Sequence, residues 1–533
     1  MPYLLTILTF LPLLGVAILL FMKKEEGKAM KSLTLAITLA NFLISLLLLK
    51  DFDLAAAGMQ FVEKYSWIPN YGISYYLGID GLTLLLVLLT TFFTPICVLA
   101  CWEDIQKSIR EFLICLLFLE TGMIGVFLSL DLFLFYVFWE VMLIPMYLLI
   151  GIWGNPARRV YAAVKFFIYT MLGSVLMLAA ILYLVFQYHA DTGICTFNLL
   201  ELYDSVLPRS SQLWLFLAFS LAFAIKVPVF PFHTWLPDAH TEAPTVGSVL
   251  LAAVLLKMGA YGFLRFCLPL FPNAALDYGT WLFLTLGLIG IIYGAWVCIV
   301  QQDLKRLIAF SSVSHLGFVM IGIFAFNAIA MKGAILQMIN HGLSTGALFL
   351  IVGMIYERRH TRLIEEFGGL SKVMPAFATL FLIVTLSSIG LPGLNGFVGE
   401  FLILQGTFMN YKLFAILGAS GVIFAAVYML RMFQRVMYGH VTNPANAVLK
   451  DLSRREWTVL LPVLILIFWI GLYPSPFLRT TETSVNSLLQ RIEKKYEYVV
   501  SKERLCGHQL AQREIGSPEI KKTQPSGGPA AKM

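Results

Sequence analysis

Glu140, Lys226, Lys257, His315, His341 and Glu400 each fall near the middle of a long apolar run. Carboxylate, amine and imidazole form a set that can pass a proton from one member to the next. A charged side chain at the centre of a bilayer costs about 2.5–3.5 kcal/mol on insertion scales and marks an ion or proton pathway. Imidazole titrates near pH 6.5, so a histidine can bridge an acid and a base with little driving force. All six residues sit at similar depth. They make a row parallel to the membrane, which suits a charge relay better than permeation straight across.

The stretch LFLAFSLAFAIKVPVFPFHTWLPDAHTEAPT (residues 215–245) organises the row. An apolar helix runs into Lys226 and is broken by Pro228 and Pro231, and a break at that depth frees carbonyls that are tolerated only beside a wet or protein-lined cavity. A Glu140–Lys226 contact would hold the lysine charged, and its removal would push the proton on to Lys257. The plainer readings are a buried structural ion pair for Glu140 and Lys226, and satisfied core histidines for His315 and His341. Glu120 and Lys165 are left between pairing and relay. Asp303, Lys305 and Arg306 open a helix, so capping is their default role. His233, Asp238, His240 and Glu242 surround Pro237 with no zinc spacing, and a polar gating loop fits them better than a metal site. Gly290 and Gly294 mark close helix packing.

The elements that position these residues are membrane spans. Of 533 residues 59% are hydrophobic and 13% charged, with a mean hydropathy of +0.81, whereas a soluble chain carries about 25% charged residues. Runs of about 20 apolar residues predict fourteen spans, near 3–22, 31–50, 81–101, 111–129, 131–153, 159–188, 211–236, 243–268, 276–300, 305–325, 328–356, 374–408, 411–438 and 455–473. The first lacks a basic leader and a small-residue cleavage site, so it reads as a span and not a signal peptide. Span twelve carries a second break, LSSIGLPGLNGFVGEF, with Gly390, Pro392, Gly393 and Gly396 before Glu400. Pro228 and Pro392 are 164 residues apart, and that shift lays spans four to eight on nine to thirteen. Five helices per copy require opposite orientations, as in inverted-repeat transporters. The expected organisation is all-α and polytopic. Helices one to three occupy 1–109, the two inverted five-helix repeats 110–268 and 276–438, helix fourteen 455–473, and an amphipathic segment with a disordered tail 474–533.

Lys and Arg concentrate in loops after odd-numbered spans, while loops after even-numbered spans hold few, among them Arg265 and Lys332. That bias places both termini on the non-cytoplasmic side. The net charge of +7 is mostly the tail's, where ten Lys or Arg face six Glu after Tyr473. The nearly neutral body argues against nucleic-acid binding. Val485, Leu488, Leu489, Ile492, Tyr496, Val499 and Val500 follow helical spacing and predict an amphipathic surface or partner-binding helix. From about Gly507 the composition predicts disorder. Seven cysteines include no CxxC pair and no cluster set, and there is no dinucleotide or phosphate-loop fingerprint. The expectation is a chain that binds no metal and no redox cofactor itself.

IKVPVFPFHTWLPDAHTEAPT, FWEVMLIPMY (138–147) and SSVSHLGFV (311–319) resemble the antiporter-like family of membrane subunits found in respiratory complex I, Mrp sodium/proton antiporters and energy-converting hydrogenases. The resemblance spans roughly residues 1–475. LGIDGLTLLLVLLTTFFTP (77–95) and the glutamate at position 400, where other branches carry lysine, are similar to the M-type branch of bacterial NADH:quinone oxidoreductase. By that resemblance Glu140 and Lys226 are the coupled pair, Lys257 the central relay, His315 and His341 the connecting groups, and Glu400 the exit-side residue. The resemblance implies a proton-translocating membrane-arm subunit in a bacterial inner membrane, beside L- and N-type neighbours. NADH, FMN, iron–sulfur clusters and quinone then belong to partner subunits. A Mrp-type sodium/proton antiporter subunit and a structural spacer of the membrane arm are the alternatives.

Overall fold

The computed structural model describes residues 3–515, and side chains as far as residue 501. In chain order the long elements are α1 (Leu4–Phe21), α2 (Gly27–Asp51), β1 (Gln60–Ile68), β2 (Ile73–Ile79), α3 (Leu84–Ala100), α4 (Ile109–Leu128), α5 (Leu132–Trp153) and α6 (Arg159–Thr192). There follow α7 (Arg209–Lys226), α8 (Trp235–Glu242), α9 (Thr245–Leu270), α10 (Pro272–Ile299), α11 (Leu304–Phe324) and α12 (Ala328–Arg359). The chain continues through α13 (Pro375–Ser388), α14 (Asn395–Asn410), α15 (Lys412–Met437), α16 (Arg454–Leu472) and α17 (Ser475–Ile515).

Eleven of the described helices are long and apolar enough to cross a membrane, so length and composition support eleven of the fourteen expected spans. The shortfall has local causes. Expected span three is the 17-residue α3, shortened because Asp80 turns the chain at its start. Spans seven and twelve are divided at their breaks into α7 with α8 and α13 with α14, each piece shorter than the run it comes from. Shifted by 164 residues, α7 falls on α13 and α9 on α15.

The helices sort by burial. The apolar windows of α9, α11 and α12 are wholly buried, whereas those of α2, α15 and α16 are mostly open. Exposed Ile168, Leu172, Phe186, Ile416, Ile423 and Ile465 give the outer helices an apolar face. In a soluble protein such a patch would be a liability; around a bundle of this hydropathy it is the lipid-facing wall. Lys257, His315 and His341 are carried by the three innermost helices.

An antiparallel hairpin, absent from the expected all-α plan, lies between α2 and α3 and pairs Glu63 with Leu77 and Tyr65 with Tyr75. Glu63 accepts the backbone N–H groups of Leu5 (2.8 Å) and Thr6 (3.1 Å). It thereby caps the free N–H groups at the start of α1 and sets a negative charge at the positive end of its dipole.

Helix α17 lies on the chain's own body. Val485, Leu488, Ile492 and Val499 are buried, so the apolar face read as amphipathic is seated on this chain. Thr483 donates to the Leu54 carbonyl (2.6 Å), the Gly81 N–H donates to Ser484 Oγ (2.9 Å), and Glu482 pairs with Lys332 (2.8 Å). A Cβ at Gly81 would stand 2.0 Å from the Thr480 carbonyl oxygen, so the approach requires glycine. The helix continues through Gly507 to Ile515, past the expected onset of disorder. Gln509, Leu510, Ala511, Arg513 and Glu514 favour that continuation. The remainder of the expected tail, 516–533, lies outside the described residues.

Arg265 and Lys332, counted among loop charges, are both tied into the fold, Lys332 by Glu482. Arg265 lies within α9, 4% exposed, and its Nη2 meets Asp80 Oδ1 at 2.5 Å and Thr83 Oγ1 at 3.0 Å. Asp80 also receives the Leu82 and Thr83 N–H groups, so one carboxylate starts α3 and holds it to α9. Removing one member of a buried ion pair costs about 3–5 kcal/mol, whereas replacing both by apolar groups is often neutral. Arg265→Leu is therefore expected to lower the melting temperature and yield of the purified protein. The double variant Asp80→Leu/Arg265→Leu should recover most of the loss in thermal denaturation.

Candidate functional site

At the first break α7 ends on Lys226, the bonds Val227–Pro228 and Phe230–Pro231 are cis, and α8 begins nine residues later at Trp235. The freed backbone is met locally. The Val229 N–H donates to the Ala224 carbonyl (2.7 Å), and the Trp235 indole donates to that of Ile225 (2.9 Å). Lys226 is 1% exposed and its Nζ has no hydrogen-bond partner among the described residues. The amine lies 5.2 Å from the centre of the Trp139 ring and 5.8 Å from that of Phe166, an arrangement in which ring quadrupoles stand in for a counter-ion.

The expected Glu140–Lys226 contact is not formed. Glu140 is half-buried and accepts a short hydrogen bond from Ser174 Oγ of α6. Successive helical residues point about 100° apart, so the lysine that sits on Trp139 does not reach the carboxylate one position on. The two groups remain electrostatically coupled.

The centre of the site is a connected file. Lys257 is fully buried on α9, between two wide π-turns at Leu251–Leu255 and Phe263–Cys267, a departure from α-geometry that recurs at functional positions. Its amine donates to the Ala252 carbonyl and lies 2.7 Å from His341 Nδ1 of α12. The His341 and His315 rings are 5.9 Å apart between centroids, inclined at 60°. His315 Nδ1 is 2.9 Å from Glu400 Oε1 on α14, and Gln337 Nε2 donates to the same oxygen at 3.1 Å. The Nε2 atoms of both histidines are buried with no hydrogen-bond partner among the described residues. A cavity of about 10 Å³ between the rings and Ser344, Ser387 and Gly396 is close to the volume one water requires. Four of the six expected residues are thus brought together. Lys226 and Glu140 stand apart from them, with no hydrogen bond joining Lys226 to Lys257 among the described residues.

Second-break geometry rests on amides. After α13, Gly390 (φ +74°) and Gly393 (φ +93°) turn the chain into α14. Asn340 Nδ2 donates to the Asn395 carbonyl (2.7 Å), Asn395 Nδ2 donates to that of Asn340 (3.3 Å), and Ser387 Oγ donates to Asn395 Oδ1 (2.5 Å). This reciprocal pair fastens the break to α12 one residue from His341. Gln337, Asn340, Asn395 and Ser174 were missed in the sequence because uncharged polar residues carry little insertion cost. The signal available was Gln337, Asn340 and Ser344 recurring every three or four residues along one face.

Residues 233–242 do not form a gating loop: α8 is a buried helix, held from several sides. Asp238 meets Lys165 at 2.7 Å and Arg306 at 3.7 Å. Lys305 donates to the Ala243 carbonyl (2.8 Å) and Arg362 to that of Thr241. His233 stacks on Phe230 and His240 on Phe349, and among the described residues no group of three His, Cys, Asp or Glu is placed to hold a metal. Asp303 caps α11 through the Arg306 N–H (3.1 Å). Glu120 is paired with Asn41 (2.9 Å).

A Cβ at Gly396 would meet the Ser387 carbonyl oxygen at 2.1 Å, a backbone atom that cannot step aside. Gly396→Ala should therefore pry α14 from α13 and lower thermal stability by about 1–3 kcal/mol, the usual cost of overpacking. A melting curve unchanged from the parent protein would contradict the packing described here.

The profile of the family described as NADH:quinone oxidoreductase/Mrp antiporter, transmembrane, matches residues 129–427. The chain is 46% identical over 502 residues to NADH-quinone oxidoreductase subunit M of Rhodobacter capsulatus, covering 92% of this chain and 97% of that one. Over 479 residues it is 46% identical to NADH-ubiquinone oxidoreductase chain 4 of Arabidopsis thaliana, covering 90% and 95%. Among solved structures it superposes on a chain of respiratory complex I from Thermus thermophilus with bound NADH, at TM-score 0.83 and 32% identity, covering 92% and 99%. A chain of the Mrp complex from Dietzia sp. gives TM-score 0.78 at 18% identity, a likeness of fold alone.

Proposed function

The chain belongs to the NADH:quinone oxidoreductase/Mrp antiporter family, and from that premise we propose that its buried file of titratable groups is a proton relay. The protein is an integral multi-pass subunit of the proton-translocating membrane arm of NADH:quinone oxidoreductase. It works within an oxidoreductase complex, among other membrane-arm subunits. Its setting is the bacterial inner membrane with both termini on the non-cytoplasmic side, and its two broken-helix halves are inverted repeats. NADH, flavin, iron–sulfur clusters and quinone act in partner subunits, and this chain supplies ionisable side chains only.

The observation that carries the relay is the Lys257–His341–His315–Glu400 file on three wholly buried helices and the helix after the second break. Each step joins groups that can both hold and release a proton. Electron transfer elsewhere alters the charge next to Glu140, which changes its hold on Lys226 through space. Lys226 then drives a proton towards Lys257, and the file delivers it through the histidines to Glu400. The Glu140–Ser174 bond and the ring-held Lys226 amine suit a switch better than a structural ion pair, because the amine has no fixed anionic partner among the described residues. The Mrp-type reading shares the family description and, at 18% identity, the fold, and nothing in the site favours sodium.

In the assembled complex reconstituted into vesicles, Lys257→Met and His341→Ala should each slow proton transfer through this chain by about 10²-fold, the scale of a lost proton-transfer group. Proton uptake per NADH oxidised would be read with a pH-sensitive dye beside the electron-transfer rate. Lys226→Ala should act in the same direction. An unchanged proton-to-electron ratio in an assembled Lys257→Met complex would sink the relay, and sodium-dependent uptake would move the function to antiport.

A further inference from the structure

We propose that the cleft between α17 and residues 199–209 binds the phosphate of an anionic phospholipid headgroup. The cleft is open, about 570 Å³ in volume, and continues into a second of about 270 Å³ that shares Tyr203, Asp204 and Arg491. Among the described residues its two free cations are Arg491 and Lys494, on the outward side of α17. The Arg491 guanidinium lies 4.7 Å over the Tyr203 ring, so one face is held by the protein while its N–H edge is left for a ligand. Neither cation has a carboxylate partner among the described residues. Of the two acids that line these clefts, Asp80 holds Arg265 at 2.5 Å, and Asp204 shares the cleft wall with Lys495. Lys495 donates to the carbonyls of Tyr203 (2.8 Å) and Leu270 (3.2 Å). It pins the floor of the cleft and leaves the positive rim to the other two.

The cleft's depth identifies the ligand as a lipid. Trp214 on α7 is 72% exposed, and Tyr278 and Trp281 at the start of α10 are each 58% exposed. Outward-facing Trp and Tyr at helix ends mark the headgroup layer. The same layer holds the Arg209–Asp277 pair (3.6 Å) and the hydrogen bond from Tyr496 to Asp277 (3.1 Å), which anchors α17 beside the cleft. A phosphate at that height, with acyl chains running down the apolar wall of α7 and α10, meets two cations without dehydrating either. The inference rests on these helices crossing a bilayer and not on the relay.

The test uses the assembled complex, delipidated and returned to nanodiscs of phosphatidylcholine with phosphatidylglycerol as the minor lipid. Lipids retained after washing are counted per complex by mass spectrometry. Retention of phosphatidylglycerol is expected to fall about tenfold in Arg491→Ala/Lys494→Ala, the effect of losing a charge-assisted contact, with phosphatidylcholine unchanged. Arg491→Lys/Lys494→Arg should retain it, which separates lost charge from an undocked helix. Equal phosphatidylglycerol retention in the alanine variant and the parent would overturn the proposal, as would loss in the charge-conserving variant. In a parallel arm, binding of inorganic phosphate by the delipidated complex without any preference between the two lipids would overturn the lipid source.

Discussion

A helix that stops inside an apolar bundle leaves carbonyls that water cannot reach, and each must be given a donor by the protein. The architecture of this chain follows from how it meets that demand twice. At the first break the donor is the indole of Trp235, supplied by the helix that resumes the chain. At the second it is the amide of Asn340, supplied by a neighbouring helix in exchange for a bond from Asn395. The two solutions have different consequences. The first is self-contained, so Lys226 ends its helix among rings with its amine unclaimed. The second welds α14 to α12, and by doing so sets Glu400 against His315, whose ring faces His341 and then Lys257.

What could be read from the sequence follows the energetics of burial. Charges in apolar runs are costly enough to be visible, so the six midplane residues and both breaks stood out. Three of the six, Lys257, His315 and His341, lie on the innermost helices, the structural counterpart of that cost. Uncharged amides and hydroxyls are cheap to insert, so Gln337, Asn395 and Ser174 were invisible although they position the charged groups. The contact assumed between Glu140 and Lys226 failed for a geometric reason: neighbouring positions on a helix face different directions, and sequence spacing places Trp139 and Glu140 equally near. The hairpin escaped because its first strand carries adjacent charges at Glu63 and Lys64, which spoils simple alternation. Span outlines blurred where a run of apolar residues conceals a stop, as at Pro228 and Pro392.

The non-helical parts are not ornaments on the bundle. The hairpin supplies the cap of α1 through Glu63, and the Asp80 turn that follows it starts α3 and holds α9 through Arg265. Both are carboxylates placed where several backbone N–H groups converge, so the same charge that would be costly in the apolar interior is stabilising at a helix start. The segment that looks least regular in the sequence therefore sets the height of α1, α3 and α9.

The seating of Ser484 on the Gly81 N–H joins positions 403 residues apart. During synthesis, α3 must therefore wait with that end uncovered until Ser484, 403 residues beyond Gly81, has been made. Closure at this point is a late event in the birth of the protein. A chain interrupted anywhere before α17 displays an open amide at Gly81 and a bare apolar strip where Val485 and Leu488 belong.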